Sequence, residues 1–123
     1  MPSTDAPTFE YLEELVRYGL EPDDPGHLKA YIQLGAARAE GSAVEARARV
    51  YKEMFAILVE AIYDDCVPFH WRCLCLDHCH QPLSLMRAVA VTERQKSAVL
   101  AIQQELSSLA RYFLDCRRQA SAE

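Results

Sequence analysis

The chain reads as an all-α, single-domain bundle of about five helices with a Cys/His-rich connecting segment. Three helix-start patterns, at Asp24, Ser42 and Thr92, predict it, because each is followed by apolar residues stepping by three and four. Nothing in between alternates with the period of two that a half-buried strand shows. At 123 residues, half of them hydrophobic and a quarter charged, the chain has the size and composition of one globular domain with its own core. The expected division is a tail over 1–7, one helical domain over 8–118 and a second tail over 119–123.

The first helix is expected from Thr8 to Leu20. Phe9, Leu12, Leu15, Val16 and Leu20 form its apolar side, the acids lie near its positive N-terminal end, and Gly19 and Pro22 stop it. Asp24 followed by Pro25 starts the second, with Leu28, Tyr31, Ile32, Gly35, Ala36 and Ala39 inward and Gly41 as terminator. Gly35 and the alanines predict close packing against a neighbour. Ser42-Ala43-Val44-Glu45 has the spacing of a capping box, in which Ser and Glu side chains satisfy each other's free amides. The helix behind it carries Val44, Ala48, Tyr51, Phe55, Leu58 and Ile62.

Pro68 interrupts, and Pro82 is expected to break the chain again; Ser84 to Val91 fits a helix or an extended run equally well. Thr92-Glu93-Arg94-Gln95 is a second capping box. Val99, Ile102, Leu106, Leu109, Phe113 and Cys116 follow it on a helix expected to end near Arg118. The two long helices are expected to pack on each other as the core.

Chemistry-bearing residues concentrate in Cys66 to His80. This stretch holds four of five cysteines, three of four histidines and the only tryptophan, Trp71. Tetrahedral zinc takes four thiolate or imidazole ligands on short chelating spacings. The spacings here nominate His70, Cys73, Cys75, His78, Cys79 and His80 for a structural zinc ion, with His27 or Cys116 as distant alternatives. Only one side of a helix can face one ion, so not all six can serve. The competing reading is a core filled by buried thiols, with the histidines at its rim. The string aligns with no zinc-finger pattern residue by residue. Cys75-x3-Cys79-His80 resembles a haem attachment site with one residue too many, and a catalytic Cys–His pair lacks a visible orienting group beyond Asp77.

No phosphate-binding loop, nucleophile elbow or paired-carboxylate motif is present, so no catalytic residues are nominated. The net charge of −5 and the absence of a basic stripe argue against a nucleic-acid partner. No apolar run is long enough to span a membrane. The first fourteen residues lack the basic and apolar regions of a signal peptide, so the expected location is the cytoplasm, a reducing compartment that disfavours disulfides. The expected function is a small protein-interaction or regulatory module, a homodimer binding another protein, with a redox, metal-handling or thiol-dependent role as the alternative. Leu100, Leu114 and Val59 lie off their helices' main stripes and would need a partner to cover them. Tyr11, Tyr18, Tyr31, Tyr63 and Tyr112 suit a half-buried contact surface.

Overall fold

A computed structural model of the chain describes residues 8–122, with side chains described as far as residue 115. The expected tail over 1–7 lies outside the described residues. Six helical segments follow in order: α1 Phe9–Tyr18, α2 Gly26–Glu40, α3 Val44–Tyr63, α4 Phe69–His78, α5 His80–Val89 and α6 Glu93–Ala122. No strand occurs among the described residues. The last helix passes the expected end near Arg118 and takes in most of the expected 119–123 tail. Gln119 and Ala120 are good helix formers, and no Gly or Pro follows to stop it.

Local signals explain most boundaries. The Thr8 hydroxyl accepts a bond from the Tyr11 amide at 3.1 Å, and Gly19 closes α1 in the left-handed conformation, with φ of 58°. The Asp24 carboxylate accepts from the Gly26 amide at 3.0 Å, but Pro25, expected as the first helical residue, is the residue before α2, so the helix starts one position later than expected. At Thr92 the capping box forms reciprocally: the Gln95 amide donates to the Thr92 hydroxyl at 3.1 Å, and the Gln95 carboxamide accepts from the Thr92 amide at 3.0 Å.

The Ser42 box does not form. Ala43 is the residue before α3, extended at ψ 158°, which leaves Glu45 at the second helical position instead of the third. Its carboxylate is then one residue too early to reach back. Pro82 also behaves differently from expectation. It sits buried in the first turn of α5, where a missing amide costs little. Its ring excludes the carbonyl four residues earlier, and the helical run is divided at Cys79 accordingly. Ser84 to Val89 is therefore helical, with Leu83 and Met86 buried.

The core is centred on α3, and not on an α3–α6 pair. Helices α1, α2, α4 and α5 all pack against α3. Tyr51, Met54, Phe55, Leu58, Ala61 and Ile62 are buried along it, a wider arc than the expected stripe. Gly35 lets α2 approach closely, since a Cβ there would run into the Met54 sulfur and lie 3.0 Å from Phe9. Leu20, expected inward, is exposed, because it follows the turn at Gly19.

Helix α6 lies beside α5 and runs in the same sense as α3, since Ala48 and Ala98 line one recess near the helix starts and Tyr63 meets Tyr112 near the other end. Only Val99, Leu109 and Phe113 of its described side chains are buried.

Gly19 yields a direct stability prediction. A Cβ there would lie 3.0 Å from both Trp71 Cδ1 and Val67 Cγ1, in a backbone conformation that costs an L-residue roughly 1–2 kcal/mol. Gly19→Ala is expected to lower unfolding free energy by about 2 kcal/mol, read as a shift of the urea midpoint. An unchanged midpoint would contradict this account of the α1–α4 junction.

Candidate functional site

The Cys66–His80 segment folds mainly as α4, whose periodicity sorts the six nominated ligands to different surroundings. Cys75 and Cys79, one turn apart, are fully buried in the core. Burial pushes both thiols up to about 12, and at Cys79 the neighbouring Cys75 adds to the shift. Cys73 is half-buried against the same core. His70 is exposed, 3.3 Å from Asp23. His78 Nδ1 meets the Gln81 carboxamide at 2.9 Å, and exposed His80 Nδ1 meets the Asp77 carbonyl at 2.9 Å.

No three of the six bring ligand atoms within 4.8 Å of one another among the described residues. The reason is helical: Cys75 and Cys79 share an inward direction, while the residues beside them in sequence turn outward. The distant alternatives add no ligand. Cys116 lies outside the described side chains. His27 sits at the α1–α2 junction, its Nε2 against Glu21 and 3.2 Å from Asp24 Oδ2. Glu21, Asp24 and His27 do place ligand atoms within 4.8 Å of each other, but Asp24 already accepts from the Gly26 amide and His27 Nε2 lies against both carboxylates. Adjacent helix ends assembled this trio, which no motif spacing announces.

What α4 does supply is a double clamp on helix ends. Trp71 Nε1 donates to the Val16 carbonyl at 2.9 Å, and Arg72 Nε donates to the Ile62 carbonyl at 2.7 Å. Both acceptors lie near helix C-termini, where carbonyls lack an intrahelical partner and a cation is favoured. The Arg72 guanidinium also lies 5.3 Å above the Phe113 ring, and Phe69 meets that ring edge-on at 5.1 Å. Four helices thus meet around residues 69–72. A Trp-Arg pair next to a proline gives no warning of this, because the acceptors are backbone atoms far away in the chain.

Outward-facing groups form the second candidate. Tyr11, Tyr18, Tyr63 and Tyr112 are each about half exposed, as expected of a contact surface, whereas Tyr31 is fully buried. It lies on the inner face of α2 and donates to Glu13 at 3.0 Å; burial and that carboxylate raise its pKa. Leu100 and Leu114 on α6 are 54% and 45% exposed, the off-stripe leucines whose covering was in question.

Beside them α3 and α6 stand apart along a seam. Its upper recess is lined by Ala48, Lys52, Met86, Ala98, Val99 and Ile102 among others. Its lower recess is lined by Lys52, Phe55, Ala56, Val59, Ile102 and Glu105, with Glu60 beside them. Val59, the third off-stripe residue, is partly buried there.

Among the described residues no helix is long and apolar enough to cross a membrane. In comparisons with protein-family models, curated proteins and solved structures, nothing matches this chain.

Proposed function

We propose that this chain is a protein-interaction module that acts by binding, without catalysing a reaction, and that it pairs with a second copy of itself along the outer line of α6. The observation that carries the reading is the pair of exposed leucines, Leu100 and Leu114, on a helix that buries so little of itself. Exposed Gln104, Ser107 and Arg111 lie between them, so Arg111 alone carries charge on that line. The leucines stand about 21 Å apart along the helix at 1.5 Å per residue. Ser107 is midway. Antiparallel pairing about Ser107 would set Leu100 of each copy against Leu114 of the other, the self-complementary contact of a two-fold dimer. A structural zinc ion has no part in this reading, because the candidate ligands diverge.

Sedimentation over a wide concentration range tests it. The full chain is expected to dimerise, and Leu100→Glu or Leu114→Glu to weaken association at least tenfold, each charge being buried twice in a symmetric interface. Because both positions are exposed, the melting temperature of the dilute protein should stay unchanged. A strict monomer unaffected by either substitution refutes the dimer.

A further inference from the structure

The α3–α6 seam lies to one side of the Leu100–Leu114 line and is not used by the proposed pairing. Its floor is apolar, formed by Phe55, Met86, Val89, Val99 and Ile102. The two recesses share Lys52 and Ile102, so they lie end to end along α3 from Ala48 to Glu60. Twelve helical steps make the pair about 18 Å long, the length of three to four helical turns. The upper recess holds about 110 Å³ and the lower about 260 Å³, space for side chains rather than for a folded domain.

The charges on its walls are ordered. Lys52 is the one charged group lining the upper recess and has no carboxylate within salt-bridge distance among the described residues. The lower recess ends between Glu60, held at 3.3 Å by Arg17, and Glu105, which has no cationic partner among the described residues. Lys52 lines both recesses together with Ile102, and Glu105 follows Ile102 by three residues, about 4.5 Å along α6. A groove with an apolar floor, a free ammonium in its middle and a free carboxylate toward one end is complementary to one kind of occupant.

We propose that this seam binds an amphipathic helix from another protein, its apolar stripe on the groove floor. A carboxylate on that helix would face Lys52, and a Lys or Arg about one turn away would face Glu105. This is the helix-in-groove mode of recognition, in which apolar anchors supply affinity and flanking charges fix direction. The inference rests on the reading of the chain as an interaction module, but not on its dimerisation.

The probe is a displayed library of fourteen-residue helices with a fixed apolar stripe and randomised charges, selected against the full chain. Enriched sequences are expected to carry an acid and a base three or four residues apart in one order. Synthetic copies of them should bind with affinity that falls as salt is raised. Ala98→Trp and Ala56→Trp place bulk in the groove from exposed positions and should weaken binding at least tenfold. Lys52→Glu should invert the selected charge at the facing position.

Leu100→Glu separates the two proposals: peptide binding that persists in that variant supports the seam whether or not the dimer exists. Enriched peptides without a charge order, or binding indifferent to both tryptophans in proteins that melt like the parent, would overturn the inference. A change of sedimentation on Ala98→Trp would also overturn it, by placing a second copy of this chain in the seam.

Discussion

Replacing Trp71 with alanine is expected to remove most of the domain's stability. The side chain is 1% exposed and fills the space between α1, α4 and the Gly19 turn. Truncating a buried tryptophan costs about 3–5 kcal/mol through lost burial and the cavity left behind. The Val16 carbonyl, bonded at 2.9 Å to the indole, would also lose its partner near the end of α1. Against a total of about 5–15 kcal/mol for a domain of this size, that loss leaves a marginal protein. Trp71→Phe separates the two contributions. It keeps most of the ring and deletes the donor, so it should cost about 1–3 kcal/mol. Urea titrations followed by circular dichroism decide the matter, since Trp71 is the only tryptophan and its fluorescence is lost in both variants. Equal losses in the two variants would show that the hydrogen bond, not the packing, dominates.

The second large effect concerns pH. Burial raises the Cys75 and Cys79 thiols to about 12, while in the unfolded chain they ionise near the ordinary thiol value of about 8.5. Below that value both states hold the protons and the contribution to stability is complete. As pH rises past it, the unfolded chain gives up protons that the folded chain retains, so stability falls progressively until the folded values are reached. Tyr31, raised by burial and Glu13, acts in the same direction at the upper end of the window. Between pH 8 and pH 10.5 the two thiols are expected to cost the fold several kcal/mol, at about 1.4 kcal/mol per pH unit per group. Cys75→Ala with Cys79→Ala should flatten this dependence, although the double variant starts less stable. A urea midpoint that stays level from pH 8 to pH 10.5 in the parent protein would contradict the burial of these thiols. Alkylation gives an independent reading: exposed Cys66 should react at neutral pH, and Cys75 and Cys79 only on unfolding.

Both predictions arise from the segment where sequence reasoning divided. Its density of soft side chains nominated zinc, and the alternative was thiols filling a core. Sequence spacing could not choose between them, because Pro68 and Pro82 left the conformation of the intervening residues open. Once α4 is helical, the 100° turn per residue carries His70 and His80 away from Cys75 and Cys79, while His78, on the Cys75 side, meets the Gln81 carboxamide instead. The leucines off the α6 stripe were more legible, since each is defined by its position relative to its own helix. Tyr31 was read both as inward on α2 and as a contact tyrosine; it is buried as the first reading had it, and the Glu13 carboxylate on α1 made that burial tolerable.

What this sequence determined by itself was local. Helices α1, α2, α3 and α6, the Thr92 capping box, the stop at Gly19 and the inner stripes of α3 and α6 all depend on residues within a turn or two of each other, where spacing is geometry. The tertiary structure decided which helix would lie at the centre. It packed α1, α2, α4 and α5 against α3, left α6 half uncovered, and brought the Trp71 and Arg72 side chains to carbonyls 55 and 10 residues away. Those contacts join a side chain to a backbone acceptor that every residue carries, so no pattern of residue types marks them in advance; only the way apolar faces compete for burial brings the two together.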